Sequence, residues 1–159
     1  MADSSTELTL KLQALSRALQ QLHFHVLEVE RLSEPGLTAS EWMGRLANDP
    51  GWAWLRAISS LIVDIDHALT AEAELTEQEA AAVAAQVRDV LFGEGDQRNE
   101  DFLSRYRPLL QMSASLASCH GEVKRLLDTI PRESENESDR LHARHLWAMR
   151  CRHRTPHGL

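Results

Sequence analysis

The stretch from Leu8 to Val29, LTLKLQALSRALQQLHFHVLEV, decides the fold class. Leu8, Leu12, Leu15, Leu19, Leu22, Val26 and Val29 stand alternately four and three residues apart, the spacing that lines one stripe of an α-helix. A half-buried strand needs an apolar residue at every second position, and that alternation is absent. A helix over about residues 6–32 follows. It should stop in Ser33-Glu34-Pro35-Gly36, where proline removes a donor and glycine accepts post-helical angles.

Working outward, the same grammar recurs. Thr38-Ala39-Ser40-Glu41 fits a capping box and opens a short helix carrying Trp42, Met43 and Leu46. Asp49-Pro50 is a second start signal, an N-cap acid followed by proline in the first turn. The helix it opens should run from Pro50 to about Ala73, with Gly51, Leu55, Ile58, Ile62, Ile65 and Leu69 in 4-3 register. Trp54 and Leu61 widen its apolar arc to roughly 200°, which predicts a central element packed against several neighbours or against a second copy. Thr76-Glu77-Gln78-Glu79 is another capping box and starts an alanine-rich helix ending near Phe92, ahead of the loop Gly93-Glu94-Gly95-Asp96. From residue 100 to 130 the register runs through Phe102, Tyr106, Leu109, Ser113, Leu116, His120, Val123, Leu127 and Ile130, which predicts one long helix kinked at Pro108.

With 159 residues, 43% of them hydrophobic, the chain can bury one core. The expected fold is all-α: an antiparallel bundle of four main helices with one extra short helix, over residues 1–131. After Pro131 the segment 132–139 holds four acids and no apolar residue, and 140–159 brings five arginines and four histidines around Leu146-Trp147. Residues 132–159 therefore read as a polar linker and a basic, flexible tail, with room for a short helix from Leu141 to Arg150 that the pattern alone does not place in the core. No 18-residue stretch is free of charge, which excludes a membrane-spanning helix. All 24 acids lie in residues 1–139, an acidic body that repels nucleic acid and leaves the arginine tail as the one part able to bind it weakly. Two widely spaced cysteines make neither a CxxC unit nor a zinc half-site, and the N-terminus lacks the features of a secretory signal, so a cytoplasmic protein is expected.

Candidate chemistry is sparse. His120 is the one titratable residue standing on a core stripe, and a buried imidazole needs a partner. It reads either as a satisfied core histidine or as a ligand-binding group, with His25 and Asp66, each bordering an apolar stripe, as the groups that would join it. A di-iron bundle wants Glu-x-x-His motifs, and none occurs; His25 with Glu28 and Asp64 with His67 read as ion pairs. Trp42, Trp52 and Arg56 cluster around one helix junction, either closing it or forming an interface hot spot. No glycine-rich phosphate loop, GxSxG elbow or HExxH motif is present, and no catalytic residue, metal or cofactor is assigned.

Asn48-Asp49-Pro50, Ala53-Trp54-Leu55-Arg56 and Leu61-Ile62-Val63-Asp64-Ile65-Asp66 carry a resemblance over residues 22–69. This stretch resembles a family of small uncharacterised helical proteins found in bacteria. The resemblance implies a bacterial helical domain and transfers no functional residue. The expected function is a non-catalytic protein-interaction or regulatory module, with a homodimer expected from the wide arc at residues 50–69. The alternatives are a metal- or small-ligand-binding bundle centred on His120, and weak nucleic-acid binding by the tail. Far-ultraviolet circular dichroism should report more than about 60% helix and no sheet in the ordered body; substantial strand signal would overturn the 4-3 reading.

Overall fold

The 4-3 stripe at the start of the chain forms one continuous helix. In the computed structural model, which describes residues 4–95 and 98–152, α1 runs Ser4–Leu32 and buries Leu8, Leu12, Leu15, Leu19, Leu22 and Val26. It is followed by α2 (Ala39–Asn48), a 3₁₀ helix (Pro50–Leu55), α3 (Arg56–Leu69), α4 (Glu77–Phe92), α5 (Glu100–Met112), α6 (Ala114–Leu127) and α7 (Glu137–Arg152). The class is all-α, with no strand among the described residues.

The expected bundle of four main helices with one extra short helix is corrected to seven α-helices and one 3₁₀ helix among the described residues, with differences in three segments. The helix expected from Pro50 to Ala73 starts as a 3₁₀ helix: the Gly51 amide donates to Asp49 Oδ1 at 2.8 Å, which tightens the first turn. It ends at Leu69, where the Thr70 amide and hydroxyl both return to the His67 carbonyl. The helix expected across residues 100–130 is two helices. Pro108 lies inside α5, and the break falls at Ser113, whose backbone is extended and whose Oγ accepts from the Leu116 amide at 3.1 Å. A serine that caps the next helix ends the previous one more effectively than a proline whose neighbours remain packed. The third difference is α7, a sixteen-residue helix in the segment expected to be linker and flexible tail.

Start signals read from sequence correspond to real caps. Thr76 and Glu79 form the complete reciprocal box at the start of α4. Thr38 accepts from the Glu41 amide at 3.1 Å, one half of the expected box. Gly93 ends α4 at φ +66°, a left-handed conformation that favours glycine.

In the packing, α1 lies between α6 and α3, α5 packs on α6 and α4, and α7 lies across α4 and α3. The wide apolar arc of α3 is thus shared among α1, α7 and α4, and its width does not require a second copy. Helix α4 is buried nearly all round through Ala80, Ala81, Ala82, Val83, Ala84, Val87 and Leu91. Its small side chains let α7 approach closely. Helix α7 itself buries only Ala143 and Trp147 and is held by polar contacts. Trp147 Nε1 donates to Gln86 Oε1 at 3.1 Å. The Arg150 guanidinium donates to the carbonyls of Ala68, Ala73 and Glu74 and meets Glu79 Oε2 at 3.0 Å, both side chains being 8% exposed. The expected boundary at residue 131 is therefore corrected as far as Arg152; residues 153–159 of the expected tail lie outside the described residues. Among the described residues no helix is long and apolar enough to cross a membrane.

Leu19 and Leu116 are fully buried. Their replacement by alanine should each cost about 3 kcal/mol in urea denaturation, and Ile62→Ala, at a half-buried site, distinctly less. Arg150→Ala should cost about 3–5 kcal/mol, because it leaves Glu79 charged and buried without its partner.

Candidate functional site

His120, on α6, faces the α4–α5 side of the bundle. Its Nδ1 lies 2.7 Å from Tyr106 Oη, and its ring stands 4.5 Å from Phe92 at the end of α4. Tyr106 is fully buried and needs an acceptor for its proton, which assigns Nδ1 as acceptor and places the imidazole proton on Nε2. Burial holds the His120 pKa below its ordinary value, so the ring is neutral at pH 7. Burial, reinforced by Cys119, pushes the Tyr106 phenol well up. Burial and then Glu122 push the Cys119 thiol up. No member of this group is activated as a nucleophile at neutral pH. Tyr106 as the partner was missed because it reads as an ordinary stripe residue. The signal was two polar-tipped residues on one stripe, fourteen positions apart.

The groups expected to join His120 are held elsewhere. Asp66, on α3, accepts a short hydrogen bond from Ser16 Oγ of α1, and Gln20 Nε2 donates to the same serine oxygen at 3.3 Å. His25, on α1, lies 3.9 Å from Glu28 one turn on, and edge-on to Phe24. The three residues thus have three separate sets of partners, and among the described residues no group of three or more His, Cys, Asp or Glu is arranged to hold a metal ion. His23, also on α1, has a buried Nδ1 with no hydrogen-bond partner, and burial lowers its pKa. In the arginine-rich C-terminal segment, Trp147 is buried and Arg150 is enclosed, so neither is free to stack on a base or meet a phosphate chain.

Trp42 and Trp52 meet in a joint, and Arg56 ties α3 to the end of α2. Trp42 is buried and meets Trp52 edge-on, with ring centroids 4.9 Å apart. Arg56 Nη2 donates to the Ala47 carbonyl at 3.1 Å, tying α3 to the end of α2. Arg45 reaches Glu34 at 3.5 Å, tying α2 to the turn after α1. The surface that this joint presents is carried by other residues. On α2 only Trp42 is buried; Met43 is 63% exposed, and Leu32 at the end of α1 is 76% exposed. The signal for Met43 was its place beside Trp42 on a helix whose inward positions are 42 and 46.

Both His120 and His23 have lowered pKa values in the fold, so the unfolded chain binds protons more readily near their ordinary pKa of 6.5. Their contribution to stability is complete above pH 6.5 and is lost as pH falls through the folded-state values. Urea midpoints should therefore drop between pH 7.5 and pH 5, and His120→Gln, which can still accept from Tyr106, should flatten that slope. Comparison with known protein families, with curated proteins and with solved structures finds no match to this chain.

Proposed function

We propose that the chain is a non-catalytic protein-interaction module that docks a partner through the α1–α2 corner. The observation that carries this reading is the outward Met43, 63% exposed, on a helix that gives only Trp42 to the core. Helix α2 is nonetheless rigidly framed. Thr38 caps its start, the Asp49 amide closes its end on the Arg45 carbonyl, and Arg56 and the tryptophan pair fix its position. Ordering ten residues to bury one side chain adds little to the stability of the isolated chain. A framed helix with a flexible, polarizable methionine facing outward is well suited to anchoring in a partner's apolar pocket. A second copy of the chain is one such partner. The resemblance over residues 22–69 accords with a bacterial setting.

Met43→Asp should leave helicity and thermal stability unchanged while removing association. Sedimentation equilibrium of wild type and variant, paired with crosslinking in bacterial cells and mass spectrometry of the adducts, provides the check. Wild-type self-association or a defined crosslinked partner, lost in Met43→Asp, supports the reading. A monomer without a reproducible adduct, or adducts that survive the substitution, overturns it.

A further inference from the structure

A second feature, away from the α1–α2 corner, lies where the connector between α6 and α7 crosses α4. Arg88 of α4 is 6% exposed, and its Nη2 donates to the Leu127 carbonyl at 2.8 Å. Arg88 lines a cleft of about 270 Å³ together with Arg132 of the connector and Arg140 and Arg144 of α7. This cleft shares Arg132, Glu133, Ser134 and Arg140 with a larger one of about 540 Å³ that continues to the first turn of α4, so its mouth is open to a ligand larger than an ion.

The four arginines are not equally engaged. Arg144 is held by both oxygens of Glu133 at 2.8 and 2.6 Å. Arg132 meets Glu94 only at 3.8 Å, with both side chains more than half exposed, and Arg140 donates at 3.4 Å to the carbonyls of Ser134 and Glu135. Those distances are long for guanidinium contacts, which close to about 2.7–2.9 Å on a well-placed oxyanion. Burial and then the charge of Arg132 lower the Arg88 pKa, while Glu94, Asp128 and Glu133 act the other way. Three guanidiniums from three elements, one of them buried and anchored by a carbonyl, surround one space. A carboxylate answers one guanidinium fork; a tetrahedral oxyanion offers oxygens to all three.

We propose that this cleft binds a phosphoryl group, presented by Arg88, Arg132 and Arg140, as free phosphate or as the phosphomonoester of a small molecule. Asp89, Glu94, Glu133 and Glu135 line the same cleft; Glu133 is engaged by Arg144, and binding exchanges the loose contact of Glu94 with Arg132 for the ligand. Asp89 is held in the wall against Gly95, where an added Cβ would stand 2.6 Å from its Oδ1.

The test is calorimetric titration of the full chain with inorganic phosphate and with phenyl phosphate, each against sodium chloride at matched ionic strength. A saturable heat with either probe is expected; tighter phenyl phosphate binding assigns the group to an organic ligand, tighter inorganic phosphate binding to the free ion. Arg132→Gln with Arg140→Gln should weaken binding by about tenfold or more. Glu94→Gln should tighten it by about tenfold, a gain that misfolding cannot mimic. Met43→Asp should leave it unchanged, which separates this site from the α1–α2 corner. No saturable heat from either probe, equal affinity in the double arginine variant, or no gain in Glu94→Gln overturns the proposal.

Discussion

The buried contact between Arg150 and Glu79 is the constraint on which the far side of the molecule depends. Both side chains are almost fully enclosed, and the guanidinium also saturates the carbonyls of Ala68, Ala73 and Glu74. The same Glu79 carboxylate accepts from the Thr76 amide, so one charged pair fixes the turn after α3, the first turn of α4 and the last turn of α7. A buried pair of this kind adds little net stability over an apolar substitute, yet breaking it strands a charge in the interior. The pair thereby ties α7 to the turn after α3 and to the start of α4. Once α7 is docked, the connector at residues 131–136 must cross α4, and that crossing brings Arg132 and Arg140 to Arg88.

On the other side, α1 organises the core by packing against α6 and α3. Two polar pairs join helices here, Ser16 with Asp66 and Tyr106 with His120, while the buried His23 Nδ1 on α1 has no hydrogen-bond partner. Such pairs set the register of one helix on another more sharply than leucine contacts, which tolerate sliding. They also hold His120 as a neutral acceptor, which suits it to structure better than to catalysis. Among the outward surfaces are the α1–α2 corner, with Leu32 and Met43, and the cleft lined by Arg88, Arg132 and Arg140.

Local features were legible where a single short-range interaction determines them. The 4-3 stripe of residues 8–29, the Thr76 capping box, the Asp49-Pro50 start and the left-handed Gly93 each depend on neighbours within a turn, and each is present. Where two local signals competed, periodicity misled. The stripe through Phe102 and Ile130 continues across Ser113, but the serine cap divides it, because a stripe records which face is buried and is silent on whether the backbone is continuous. Likewise the arc of α3 correctly recorded burial on several sides and could not say whether the cover came from this chain or another.

By itself, the sequence determined the helical class, most helix starts and stops, and the inward face of each long helix, since these follow from spacing and capping within a few residues. Tertiary structure alone decided the fate of residues 137–152. Their own hydropathy is that of a solvated tail, and only the alanine face of α4 and the acceptor cage around Arg150 make their burial favourable. It also decided the sites: Tyr106 as the partner of His120, Ser16 as that of Asp66, and three arginines from three elements around one cleft are contacts between residues far apart in the chain. No periodicity encodes such meetings, because they depend on how whole helices pack.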